Sequence, residues 1–191
     1  ITLGTAWVYN TIESNTTVAN CHKVPQKQFS KKLLSIVSIL KSLQNIFNTI
    51  QSVNKTATII FTVSPVRHIK DGFVENTQSK SHLISAIHEF LNEQSFYFPS
   101  YEIMLDELRD YRFYKTDMIH PNELAVDYIW EKFNSVWITS EAQTTMSAVD
   151  VIQKGLAHKP FNKASQAHAV FVDNLKRKQK QLQSQFPHIT F

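Results

Sequence analysis

With 191 residues, 42% of them hydrophobic and 12% aromatic, the chain has material for one compact core and an appended helical segment, and its composition excludes a disordered protein. Three glycines are too few for a sandwich or barrel with many tight turns, and no apolar run approaches the roughly 20 residues that cross a bilayer as a helix. The net charge of +4 is uneven: residues 1–150 carry 13 Lys/Arg against 15 Asp/Glu, and residues 151–191 carry 7 against 1. A lone cysteine, Cys21, excludes an internal disulfide framework; it inclines the chain toward the cytoplasm and leaves the compartment open.

In chain order, Ile1 to Tyr9 (ITLGTAWVY) is a short apolar, β-branched and aromatic run that predicts a buried strand. It contains no initiator Met, and the expectation is that earlier strands lie upstream. Thr11 to Val24 is polar and irregular. From Phe29 to Val53, apolar residues at Phe29, Leu33, Ile36, Leu40, Leu43, Phe47 and Ile50 have helical spacing with one buried face. Thr56 to Val63 (TATIIFTV) predicts a second strand, ended by Ser64-Pro65 because proline cannot continue a central ladder.

His82 to Phe90 lies in a second amphipathic helix, Phe96 to Phe98 is a brief aromatic run, and Tyr101 to Leu108 suits a short helix. Pro121 suits the first turn of a helix running through Tyr128, Ile129, Trp130 and Phe133. Two further helical stretches, Glu141–Ala157 and Lys163–Gln185, carry no strand signal. The expectation is an α/β unit over residues 1–140, part of a three-layer α/β/α sandwich with a parallel sheet. Residues 141–191 form a helical appendage packed on it, since about 50 residues bury too little surface to stand comfortably alone. The basic Lys176-Arg177-Lys178 and Lys180 are read as a solvated helix face in preference to a nucleic-acid surface.

Chemistry concentrates in Asp117-Met118-Ile119-His120-Pro121. Three residues apart on a loop entering a helix, the carboxylate can accept the imidazole Nδ1–H and leave Nε2 facing outward as a general base. Taken alone the pattern is weak, and an Asp capping the helix beside a surface His is the plain alternative. Arg67 and His68 follow the second strand, where ligands sit in an open parallel sheet. Arg67 is suited to a substrate carboxylate or phosphate, or to bracing its own loop by pairing with Asp71 or Glu75. Arg109 and Arg112 read as ion-pair and stacking partners. Cys21-His22 as a thiol and base, or zinc held by Asp117, His120 and His22, lack a supporting spacing, so no metal or cofactor is implied.

Three long stretches, SPVRHIKDGFVENTQSKSHL (Ser64–Leu83), YFPSYEIMLDELRDYRFYKTDMIHP (Tyr97–Pro121) and AVDYIWEKF (Ala125–Phe133), resemble the GSCFA family, an SGNH/GDSL-like group of bacterial proteins. The opening ITLGTAWVY and the closing HKPFN (His158–Asn162) do so too. The family takes its name from a Gly-Ser-Cys-Phe-Ala segment near its N-terminus, whose serine looks like the SGNH nucleophile and which does not occur here. The resemblance implies an SGNH/flavodoxin-like fold and a Ser–His–Asp hydrolase of ester-type bonds in small molecules or glycans. Asp117 and His120 would be the triad members present, and the serine would come from a missing N-terminal segment. SGNH enzymes also use an oxyanion-donating Asn after a strand, but here that strand ends in Gly4-Thr5-Ala6-Trp7; Asn20 is the nearest substitute. That departure keeps open a catalytically inactive binding or assembly module.

Overall fold

The computed structural model describes residues 1–18, 23–162 and 164–191. It is a mixed α/β structure whose parallel three-stranded sheet is flanked by helices, fitting the expected α/β sandwich. Strand β1 (Thr2–Leu3) pairs with β5 (Ile59–Val63), which pairs with β6 (Ser95–Phe98), in registers Thr2↔Thr62 and Ile59↔Ser95. A second, antiparallel sheet has the order β3-β2-β4, built from β2 (Trp7–Thr11), β3 (Thr17–Val18) and β4 (Phe29–Leu33).

Helix α1 (Ile36–Val53) and helix α2 (Phe73–Phe90) connect the parallel strands. Alternate residues of β5, namely Ile59, Phe61 and Val63, are buried, as period-two geometry requires of a strand with a covered face. They join Ile39 and Leu43 of α1 and Leu83, Ala86, Ile87 and Phe90 of α2 in one core. Phe61 and Phe47 both meet the Phe90 ring edge-on, at centroid distances of 5.8 and 5.6 Å. Strand β6 leads through α3 (Ser100–Glu102) into a single π turn, Ile103–Glu107, closed by Leu108 N–H on the Ile103 carbonyl. Met104 and Leu108 then pack with Ala125 of α4 (Glu123–Trp137) in a smaller core.

Four expectations need correction. The run Ile1–Tyr9 is two strands, because the chain turns at Gly4–Ala6 to pass from the parallel sheet into the antiparallel one. Thr11–Val24 is not irregular throughout: β2 reaches Thr11, and Thr17–Val18 pairs back on Asn10 and Tyr9. The helix begins at Ile36, not Phe29; Phe29 and Leu33, four apart, also share one face of a strand, and they pair with Thr11 and Trp7. The Ser35 hydroxyl accepts from Ser38 N–H and caps α1. Pro121 lies outside its helix, which is capped by Asn122 Oδ1 accepting from Ala125 N–H at 3.1 Å.

By contact the chain divides into two compact units, Ile1–Glu131 and Lys132–Phe191. In the second, α5 (Ser140–Ala157) and α6 (Gln166–Gln185) approach closely at Gly155, where a methyl group would meet Leu175 at 2.6 Å; Ile152 and Leu182 are buried.

Helix α2 starts from Gly72, with φ +115° and ψ 163°, a conformation reached almost only by glycine, and an added Cβ would lie 2.0 Å from the Glu75 carboxylate. Gly72→Ala should therefore destabilise the fold by about 1–3 kcal/mol in denaturant titration. A change below about 0.5 kcal/mol would show that the backbone here relaxes freely.

Candidate functional site

The residues that shape the site are set by an unusual face of α2. Asn76, Ser79 and Lys80 continue the stripe formed by Leu83, Ile87 and Phe90, so three polar side chains occupy positions that helical spacing buries. Each finds backbone at the ends of the strands. Asn76 Oδ1 accepts from His68 N–H at 2.8 Å, and Ser79 Oγ accepts from Ala6 N–H at 2.7 Å and bonds the Thr5 hydroxyl at 3.0 Å. Lys80, only 1% exposed, donates to the carbonyls of Gly4 and Ser64, both at 2.7 Å, and its ammonium lies 5.5 Å from the Tyr101 ring centre. Gly4 and Ser64 directly follow β1 and β5, so one side chain ties together the carboxyl ends of two parallel strands. Trp7 Nε1–H adds a contact to the Glu75 carbonyl at 3.3 Å.

Above these strand ends is a cavity of about 520 Å³ lined in part by Thr5, Trp7, Lys31, Arg67, His68 and His120. Its position, beyond the carboxyl ends of parallel strands, is where open α/β sheets take ligands. Lys31 from β4 pairs with Asp71 and lies over the Trp7 and Tyr9 rings at 5.6 and 5.3 Å. Thr5 brings a hydroxyl to the cavity, but its Oγ1 already accepts from Trp7 N–H and bonds Ser79.

His120 arrives on a closed loop. Tyr114 and Pro121 pair across its base, Lys115 N–H donates to the His120 carbonyl at 2.8 Å, and Met118 N–H to the Lys115 carbonyl at 2.9 Å. Met118 takes a left-handed conformation, φ 57°, which tightens the turn enough for Asp117 to reach back over it. One Asp117 oxygen accepts from the N–H groups of Ile119 and His120 at 2.8 and 3.0 Å; the other lies 2.7 Å from His120 Nδ1. With Nδ1–H donating to the carboxylate, Nε2 is left as the free acceptor. Both side chains are half exposed. The backbone N–H of His120, then its ring, then the N–H of Ile119 hold the Asp117 carboxyl down to about 2.

Arg67 braces this loop from β5's side. Its backbone N–H meets the Ile119 carbonyl at 3.2 Å, and its Nη1 donates to the Met118 carbonyl at 2.8 Å. The guanidinium lies between the Phe73 and Tyr114 rings, at 5.6 and 5.7 Å, and lines a second cavity of about 260 Å³ with Met104, Leu108, Arg109 and Tyr114. Of the two carboxylates weighed from the sequence as its partners, Asp71 pairs with Lys31 instead. Arg112 pairs with Asp110 at 3.0 Å and lies over Phe113. His68 is half-buried against Gly4; burial, then the Lys80 charge, push its imidazole below the ordinary histidine value.

The structure thus brings His120, Arg67 and His68 to one cavity, with Asp117 bonded to the His120 ring. Asn20, with Cys21 and His22, lies outside the described residues. Sequence reasoning missed Asn76, Ser79 and Lys80; the readable signal was polar residues spaced i, i+3, i+4 on an otherwise apolar helix face.

A chain with an acid–imidazole couple at the crevice of a parallel α/β sheet belongs to a broad class of α/β proteins with a polar site at the strand ends. Comparison with family models is more specific: the model described as the GSCFA family matches residues 1–133, and that described as GSCFA domain protein, C-terminal domain, matches residues 149–191. The chain belongs to the GSCFA family. No curated protein and no solved structure matched it.

Two titrations follow. A carboxyl held low orders its loop fully above about pH 4 and loses that hold as pH falls toward 2. Amide shifts of Ile119 and His120 should step between about pH 4 and 2, and Asp117→Asn should remove the step; an unchanged step in the variant would assign it to another carboxyl. Burial pushes the Lys80 ammonium down to about 8. Between about pH 8 and 10 the unfolded chain keeps a proton there that the folded chain has lost, so stability rises with pH, by on the order of 3 kcal/mol in full. Urea unfolding at pH 7.5 and 9.5 should show the rise, and Lys80→Met should flatten it.

Proposed function

We propose that this chain supplies the acid and base of a Ser–His–Asp triad in an SGNH-like hydrolase of ester-type bonds, the substrate being a small-molecule or glycan ester. In this reading residues 1–140 form the C-terminal part of the hydrolase domain and residues 141–191 its helical appendage. The observation that carries it is the 2.7 Å contact of Asp117 with His120 Nδ1, on a ring that lines the cavity beyond the strand ends.

His120 Nε2 takes the proton of an attacking serine, and Asp117 fixes the tautomer and stabilises the imidazolium that results. No Gly-Ser pair occurs in the 191 residues, and the serine comes from the Gly-Ser-Cys-Phe-Ala segment of the family pattern. His68, a neutral donor near the strand ends, stabilises the oxygen that gains charge, with Asn20 the second candidate donor read from the sequence, and Arg67 faces an anionic portion of the substrate. The bonded state of Thr5 argues against its hydroxyl replacing the serine.

A protein carrying both the Gly-Ser segment and this chain should be labelled by a serine-directed fluorophosphonate. His120→Ala should abolish labelling, and Asp117→Asn should slow it by about two to four orders of magnitude. Undiminished labelling of the His120 variant would overturn the assignment, and no turnover across a broad ester panel would favour an inactive binding module.

A further inference from the structure

We propose that Lys80 is a positioning residue for the cavity: its ammonium ties the ends of β1 and β5 together and thereby seats the His68 ring against Gly4 as a hydrogen-bond donor facing the same cavity as His120. Lys80 holds the Gly4 carbonyl at 2.7 Å, and a methyl group on Gly4 would come within 3.4 Å of His68 Nε2. The same ammonium holds the Ser64 carbonyl, four residues before His68, while Asn76, one helical turn before Lys80, holds His68 N–H. The ring is thus located from both sides by one helix face.

Electrostatics agree with this geometry. Among the described residues the buried Lys80 ammonium bonds carbonyls and faces an aromatic ring, which leaves its charge unneutralised, and that charge disfavours a second cation nearby. After burial itself, Lys80 is the largest influence lowering the His68 imidazole; Lys31 and His120 act in the same direction, and Asp71 opposes them. A neutral ring donates one N–H without carrying a charge that would compete with protonation of His120. What the donor is for, an oxygen gaining negative charge, rests on the acyl-transfer reading; the coupling of Lys80 to His68 does not.

The test is an NMR titration of the His68 ring in the 191-residue chain, with Lys80→Met and Lys80→Arg beside the parent. The parent ring should titrate below about 6.5. Lys80→Met should raise its midpoint by about half a pH unit or more, and Lys80→Arg, which keeps the charge, by much less. A folded Lys80→Met variant with an unmoved midpoint overturns the proposal, as does an equal rise in both variants. Should the Met variant fail to fold, a parent midpoint at or above about 6.5 overturns it alone. Fluorophosphonate labelling reports on the acyl-transfer reading and leaves this coupling untouched, so the two can fail separately.

Discussion

The constraint on which the site depends is the burial of a polar helix face against the ends of a parallel sheet. Carbonyls at the carboxyl end of a strand lose their ladder partners as the chain turns away, and buried without partners they would be costly. Here an ammonium serves two of them, on adjacent strands, and Asn76 and Ser79 on the same face of α2 serve the two loops that leave those strands. The result is a floor whose two halves cannot splay independently, with the cavity above it.

That arrangement explains why the walls of the cavity come from segments far apart in sequence. The antiparallel sheet brings Trp7, Tyr9 and Lys31 to one side, and the turn after β5 brings Arg67 and His68 to another. The loop carrying Asp117 and His120 closes on itself through Tyr114 and Pro121, so its internal geometry depends little on the rest of the fold. Its placement depends instead on Arg67, the only group named above that bonds it by both backbone and side chain.

Much of this was legible in the sequence. The parallel strand at Thr56–Val63 and the helices after it declared themselves by period and by punctuation, and the Asp117/His120 spacing allowed a contact without requiring it. The antiparallel sheet was not legible, because Phe29 and Leu33 satisfy helix and strand spacing equally and β3 is only two residues long. Nor was the role of Arg67: a guanidinium bonding a carbonyl 51 residues away leaves no local pattern. Lys80 was hidden for a different reason. A lysine in a helix reads as solvated, and only its place in the stripe from Asn76 to Phe90 sets it apart.

Arg67 also forms a partition common to two hollows, the larger beside His120 and the smaller beside Met104. Any occupant of the smaller hollow that recruits its guanidinium competes with the Met118 carbonyl for the same fork of donors. Filling one chamber and steadying the imidazole at the rim of the other thus draw on a single side chain, and the two chambers are not independent compartments.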